Sequence, residues 1–156
     1  MSKSRKRVAA EAAARGLTIE IVEMTVSTKT AQEAADAIGA QVDQIAKSII
    51  FRGMVSGRAI LFITAGGNRV DPARAACAAG EALGKADAAF IRAETGFAIG
   101  GVSPIGHTKP VRAFWDPRLS EFAEIWAAAG TPHHMFRIGP DELIAATEAV
   151  AADFTE

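Results

Sequence analysis

The apolar and polar positions of this chain follow two different periods, which predicts a mixture of strands and helices. Thr18–Met24 alternates apolar and polar side chains, as a half-buried strand does. The apolar runs 48–51 and 58–63 are separated by Ser56-Gly57 and predict a β-hairpin, with Lys47 directly before its first strand. Further strands are predicted at residues 87–92, 111–115 and 131–138.

Helix starts are marked by capping residues between these strands. Thr30 and Glu33 have the spacing of a capping box, and Gly39 marks the end of the helix that they begin. The remaining predicted helices are an alanine-rich one that ends at Arg15 before Gly16, one from Asp71-Pro72, one from Asp116-Pro117 that carries Phe122, Ile125 and Trp126, and a closing one from Pro140-Asp141.

This order of elements predicts an α/β fold of the α+β type, in which a mixed sheet is covered by helices. No repeat, linker or break in composition divides the 156 residues, so we expect a single domain over 1–156. Lys3, Arg5, Lys6 and Arg7 lie within five positions at the start. They predict a flexible basic tail over residues 1–7, and an arm that contacts phosphate is the alternative.

Composition narrows the function classes. The formal net charge of −1 argues against broad binding to nucleic acid and against a DNA-binding regulator, while contact with one nucleic-acid end stays open. The lone Cys77 excludes an internal disulfide and suits a reducing cytoplasm, which is the expected location. No apolar run reaches the roughly 20 residues of a membrane span, so we expect no membrane partner.

Most familiar catalytic and metal-binding patterns are missing. Ser103 has Gly101 two positions before it but Ile105 two positions after it, so it is not the nucleophile of a G-x-S-x-G turn. His133 and His134 are adjacent on a predicted strand, where their side chains point to opposite faces and do not share a metal ion. Cys77 lies among alanines and is expected to be buried. We therefore predict neither a metal nor a cofactor.

The segment Gly100-Gly101-Val102-Ser103-Pro104-Ile105-Gly106-His107 is the most informative stretch. Its glycines allow backbone amides to approach a ligand closely, so it could direct N–H donors at an ester or carboxyl oxygen. A tight connection between two elements is the alternative interpretation. Lys47 also has two interpretations, because its ammonium either turns outward to water or lies at the rim of a pocket. A cation beside such a loop suits a substrate that carries phosphate or develops negative charge.

Lys47 within Ile45-Ala46-Lys47-Ser48-Ile49, together with the segment 100–107, resembles the YbaK/ProX family. These proteins are free-standing relatives of the editing domain inserted in bacterial prolyl-tRNA synthetases. The likeness runs from Thr28 to Ile138 and includes the helix start at residues 30–35 and the strand approach at residues 129–134.

The resemblance implies a mixed, mostly antiparallel, six-stranded sheet curled into a barrel-like core with helices outside. It also implies hydrolysis of mischarged aminoacyl-tRNA, typically tRNA for proline that carries a small wrong amino acid such as alanine, serine, threonine or cysteine. The implied partner is the 3′ acceptor end of tRNA, and a need for prolyl-tRNA synthetase is left open. A domain that binds the acceptor end or a small amino-acid-like ligand without hydrolysis is the alternative.

The resemblance also assigns site residues. Lys47 matches the family lysine, and Gly100 and Pro104 match the ends of a G-x-x-x-P loop. We hypothesise that the amides of Gly101, Val102 and Ser103 bind the ester carbonyl oxygen, which makes these three residues catalytic candidates with Lys47 and Gly100. The candidate substrate-binding residues are Thr28, Pro104, Gly106, His107, His133 and His134, and the sequence leaves open which of the last two faces the pocket.

Overall fold

The computed structural model describes residues 2–156, which form five α-helices and eight strands. The helices are α1 (Lys3–Ala14), α2 (Ala31–Ile38), α3 (Pro72–Ala79), α4 (Ala88–Thr95) and α5 (Pro140–Thr147). The strands are β1 (Ile21–Glu23), β2 (Ala46–Gly53), β3 (Ala59–Ala65), β4 (Leu83–Lys85), β5 (Arg112–Trp115), β6 (Ile125–Ala128), β7 (His134–Ile138) and β8 (Val150–Ala151).

The strands form two sheets. One has the order β1-β7-β6 and is antiparallel throughout. The other has the order β4-β2-β3-β5-β8, with β2 antiparallel to both neighbours and β5 parallel to both of its own. A parallel bridge between Ile45 and Trp126 joins the sheets. The predicted mixed, mostly antiparallel fold with helices outside is confirmed, although the strands number eight in two sheets instead of six in one.

Strand β3 is the centre of the larger sheet because all seven of its residues are buried. Leu61 and Ile63 pack on one face with Trp115 and Phe136. On the other face the Phe62 ring stacks on Phe114 with 5.3 Å between ring centroids. A strand buried on both faces reads as one continuous apolar run, which is the pattern of this segment. The predicted hairpin of β2 and β3 is confirmed, and its register places Lys47 opposite Thr64.

Local capping chemistry positions two helices as predicted. The Thr30 side chain accepts a hydrogen bond from the Glu33 amide at 3.1 Å and begins α2, which ends at Gly39 in a left-handed conformation. The Asp71 side chain accepts from the Ala73 amide at 3.0 Å and begins α3. An N-cap of this type contributes about 1 kcal/mol, so each short helix starts at a defined residue.

The strand predicted at residues 87–92 is wrong, since these residues begin helix α4. Asp87 is its N-cap, and its carboxylate accepts a hydrogen bond from the Phe90 amide at 2.8 Å. The short apolar run of Phe90 and Ile91 fits a strand or a helix equally well, and the cap decides between them. As a result Ile91 turns inward and is buried.

The helix predicted after Asp116-Pro117 is also wrong. Only a 3₁₀ turn forms there, over Pro117–Glu121, and Ile125–Ala128 is strand β6. Phe122 and Trp126 therefore do not share a helix face. Trp126 pairs across β6–β7 with Arg137, whose guanidinium lies 5.8 Å from the indole centroid.

The first turn of α1 corrects the predicted basic tail. The helix begins at Lys3, and the side chain of Ser2 caps it by accepting from the Arg5 amide at 3.1 Å. Val8 in the next turn is fully buried. Residues 3–7 are therefore part of the folded domain, and the first residue of the expected tail lies outside the described residues.

Glu94 connects α4 to the start of β3. Its carboxylate accepts from the Ala59 amide and from Arg58, both at 2.9 Å, and from Lys109 at 3.1 Å. Burial by itself would raise the pKa of Glu94, but these hydrogen bonds outweigh it and lower the pKa to about 2. The ionised carboxylate therefore attaches the end of α4 to the start of β3, just before the loop that follows Gly96.

We expect Glu94→Gln to lower the free energy of unfolding at pH 7 by about 1–3 kcal/mol, because hydrogen bonds to an ionised group are lost. In acid the unfolded carboxyl takes up a proton near its ordinary pKa of 4.5, whereas the folded one stays ionised to about 2. Acid therefore destabilises the folded wild type. The difference in free energy of unfolding between the wild type and the variant shrinks as the pH falls from 4.5 towards 2. Urea unfolding at several pH values measures this gap, and a gap independent of pH would contradict the assignment.

Candidate functional site

A cavity of about 720 Å³ lies along the edge of β2 that β4 leaves uncovered. β4 pairs only with residues 51–53 of β2, and all five residues from 46 to 50 line the cavity. The opposite walls come from residues 28–32 at the start of α2 and from the loop at Ile99, Gly100 and Val102. Four predicted site residues are thus brought together: Thr28, Lys47, Gly100 and Val102.

Lys47 lies on the cavity wall, where its ammonium is half-buried. Its Nζ donates to the Asn68 carbonyl at 2.5 Å, and the Asn68 side chain in turn donates to the buried carboxylate of Asp116 at 2.9 Å. An ammonium has three N–H donors, so two remain for a ligand. Burial lowers the pKa of Lys47 and the nearby Arg69 lowers it further, while the carboxylates of Asp116 and Asp43 oppose both.

The loop lines the cavity with Ile99, Gly100 and Val102 but not with Gly101 or Ser103. Gly100 and Val102 line it, whereas Gly101 faces away and its amide donates to the Ala98 carbonyl at 3.1 Å. A Cβ at Gly101 would lie 2.8–2.9 Å from backbone atoms of Thr131, so the loop is packed tightly against that segment. The expected use of the Gly101 amide for a ligand is therefore corrected. Within residues 2–156 the amides of Gly100 and Val102 have no hydrogen-bond partner.

Ser103 is fully buried and does not line the cavity. Its hydroxyl accepts from the Ile105 amide at 3.3 Å, and its carbonyl accepts from Nε2 of His107 at 2.8 Å. The His107 ring also meets Phe97 edge-on with 5.8 Å between centroids, and burial lowers the pKa of this histidine. Ser103 and His107 therefore stabilise the loop through hydrogen bonds on the side that does not line the cavity.

The second half of the loop faces a different space. Pro104, Gly106 and His107 line a smaller cleft of about 320 Å³, whose other walls include Glu11 and Glu148. The loop thus separates this cleft from the cavity that holds Lys47. The structure does not bring these three predicted substrate-binding residues to Lys47, since they line this cleft and not the cavity.

The two candidate histidines lie outside the cavity as well. His133 is exposed, and its amide donates to the Thr131 hydroxyl at 3.2 Å. The His134 ring is held between the Thr131 hydroxyl and the Arg5 guanidinium, each at 2.5 Å. Burial and the Arg5 charge lower the pKa of His134. Neither histidine lines the pocket, so the expectation that one of them does is not met.

Thr28 is buried at the cavity wall and connects two loops. Its amide and its hydroxyl both donate to the Pro132 carbonyl, at 2.8 and 2.7 Å. The hydroxyl donor is therefore already used, which gives Thr28 the role of fixing the wall rather than offering a hydrogen to a ligand.

Several residues of the site were not found from the sequence. Ile91 and Met135 line the cavity from α4 and β7, and Ile91 was missed because its segment was predicted as a strand. Asn68 accepts a hydrogen bond from Lys47 through its backbone carbonyl. Every residue has such a carbonyl, so the sequence does not indicate which one Lys47 contacts. Lys29 also lines the cavity, and its side-chain Cγ lies 3.3 Å from where a Cβ on Gly100 would be. The only sequence feature that pointed to Lys29 was its position directly before the helix cap Thr30.

Other chemistry is limited in the part of the chain that the structure describes. Residues 2–156 contain no group of three histidine, cysteine or acidic side chains placed to share a metal ion. None of the helices in that range is both long and apolar enough to cross a membrane. Cys77 is exposed on α3, not buried as predicted, and it does not line the cavity.

The sequence is similar to those of known proteins. The sequence profile described as "Aminoacyl-tRNA editing domain" matches residues 25–146. The uncharacterized protein YwhH of Bacillus subtilis (strain 168) is 29% identical over 124 residues, which cover 80% of this chain and 78% of YwhH.

Two solved structures share the whole fold. A protein crystallised as a candidate trans-editing enzyme for prolyl tRNA synthetase is 45% identical, with a TM-score of 0.93 over 100% of this chain and 99% of that one. The hypothetical protein APE2540 is 28% identical, with a TM-score of 0.88 over 96% and 99% of the two chains. The matched profile spans most of the chain and includes both Lys47 and the loop, so the chain belongs to the aminoacyl-tRNA editing domain family.

Proposed function

We propose that this chain hydrolyses, in trans, the ester bond of tRNA for proline that carries a small wrong amino acid. The observation that carries the proposal is that Lys47, Gly100 and Val102 line one cavity. The relative crystallised as a candidate trans-editing enzyme for prolyl tRNA synthetase supports the same substrate class. We place the activity in the cytoplasm, with the 3′ acceptor end of tRNA as the partner and the synthetase as a further candidate.

The reaction needs little from side chains, because an aminoacyl ester already hydrolyses slowly in water. A water oxygen attacks the ester carbonyl carbon, the bond from that carbon to the ribose oxygen breaks, and a proton of the water passes to the ribose oxygen. The free amides of Gly100 and Val102 are the donors that would stabilise the oxyanion. One such donor contributes roughly 10²–10³ in rate.

Lys47 would hold the terminal adenosine through its phosphate. Two N–H groups of the ammonium are free for this contact, and its bond to Asn68 keeps the third in place. Half-burial strengthens the attraction, since a charge pair in a region of lower dielectric interacts more strongly than one in water.

The remaining lining would select by size. Ile50, Ile91 and Met135 offer apolar surface and no charge to the cavity. Each methylene in such a pocket is worth about 1–3 kcal/mol, which separates side chains that differ by one methylene by about 10- to 200-fold.

A deacylation panel tests this function directly. We expect tRNA for proline charged with alanine, serine, threonine or cysteine to lose at least one of these amino acids about 10²-fold faster than in buffer, and prolyl-tRNA to be spared. The same tRNAs with heat-denatured protein give the background rate. Stoichiometric binding of the charged tRNA without release of amino acid would overturn the proposal and indicate a binding module.

A further inference from the structure

The first turn of α1 holds the loop that forms one wall of the cavity. The Arg7 guanidinium donates to the Gly96 carbonyl at 2.6 Å and to the Gly106 carbonyl at 3.2 Å. It also lies 5.0 Å from the centroid of the Phe97 ring. One side chain therefore spans both ends of the loop segment that contains Gly100 and Val102.

Two glycines allow the helix to come this close. A Cβ at Gly106 would lie 2.9 Å from the Val8 amide nitrogen, and one at Gly130 would lie 2.8 Å from the Ser4 carbonyl carbon. Both contacts are with backbone atoms, which do not move aside as a flexible side chain does. The first turn of α1 thus rests directly on the loop and on the segment that follows β6.

A second arginine braces the other side of the same wall. Arg5 donates to Nε2 of His134, which assigns the proton of the neutral ring to Nδ1 and directs it at the Thr131 hydroxyl. The backbone of Thr131 in turn lies against Gly101. The chain of contacts therefore runs from Arg5 to the back of the loop.

The positive charges at the start of α1 are unfavourable for the helix itself. Residues 3–7 carry four cations, the first turn contains no acidic residue, and a helix N-terminus disfavours positive charge. Helix stability therefore does not account for Arg5 and Arg7, whereas their contacts with the loop and with His134 do. Lys3 and Lys6 are exposed in the same turn.

We propose that Arg7 is a positioning residue, which fixes the separation of Gly96 and Gly106 and thereby holds the amides of Gly100 and Val102 at the ester carbonyl. The inference rests on the proposed function for its consequence in catalysis. A lysine does not replace Arg7, because a single ammonium does not reproduce the planar fork that reaches two carbonyls and covers an aromatic ring.

The test compares Arg7→Lys and Arg7→Met with Lys6→Met, a change to an exposed cation in the same turn. We expect both Arg7 variants to lower kcat for deacylation by at least tenfold with KM within twofold, and Lys6→Met to leave both unchanged. An increase in KM alone would overturn the proposal, since it would mean that Arg7 binds tRNA. Unchanged kinetics in both Arg7 variants would overturn it as well.

Hydrogen exchange separates this inference from the proposed function. We expect amides of residues 97–107 to exchange at least tenfold faster in Arg7→Met than in the wild type, with β3 unchanged. If the wild type hydrolyses no charged tRNA, the proposed function fails while this measurement still tests the contact. Equal exchange in the loop would show that Arg7 does not hold it.

Discussion

Replacing Lys47 with alanine is expected to lower deacylation of mischarged tRNA by about 10²-fold and to leave the fold intact. The loss corresponds to about 2.7 kcal/mol, the size expected when one member of a hydrogen-bonded charge pair is removed, here the ammonium that would contact the substrate phosphate. Stability is expected to change little, because the half-buried ammonium makes one hydrogen bond, to the Asn68 carbonyl. Single-turnover rates together with thermal unfolding measure both effects.

Two further variants define what Lys47 contributes. Lys85→Ala removes an exposed lysine from β4 of the same sheet, away from the cavity, and should leave the rate unchanged. Lys47→Arg keeps the charge but places a wider group beside Asn68, so we expect partial activity if charge is the main requirement. A folded Lys47→Ala protein with the wild-type rate would exclude Lys47 from the reaction.

The parts of the fold that were predicted correctly are those decided by neighbouring residues. The caps at Thr30 and Asp71 act within three residues, and the β2–β3 hairpin is marked by its own turn. The segment after Asp116 was mispredicted because distant residues decide it. Trp126 has helical spacing with Phe122, yet its strand is fixed by pairing with β7 and by the bridge to Ile45.

The candidate site divides in the same way. Lys47 and Gly100 were found because a lysine before an apolar strand and a glycine-rich loop are visible as residue types. The positions of His133 and His134 were not, since Arg5 and Thr131 hold the His134 ring away from the cavity. No sequence pattern reports such a contact across 129 residues.

The state of the loop amides could not be predicted from sequence for a related reason. Whether an amide is free depends on the turn that the backbone makes. The Gly101 amide is not free, because it donates to the Ala98 carbonyl in a turn. The three successive donors hypothesised from the sequence are therefore replaced by Gly100 and Val102, which line the cavity and have free amides, as Ile99 before them also does.

Gly101→Ala is expected to abolish most of the activity, with a loss of about 10²-fold or more, and to destabilise the protein by about 1–3 kcal/mol. The added methyl would lie 2.8–2.9 Å from the Cα, carbonyl carbon and nitrogen of Thr131. Backbone atoms do not yield at this distance, so the loop must move away from Thr131 and carry Gly100 and Val102 with it. Rates measured well below the unfolding temperature separate the displacement from lost stability.

Gly84→Ala is the matched control because the three atoms nearest to its methyl would all belong to the side chain of Met54, which is exposed and can rotate away. We expect wild-type rates for this variant. If Gly101→Ala were destabilised but fully active, the loop would tolerate displacement and its amides would not be the oxyanion donors. Activity would then have to come from Lys47, from another polar side chain of the lining such as Ser48 or Lys29, or from the substrate itself, because the cavity lining offers no carboxylate, histidine or cysteine among residues 2–156.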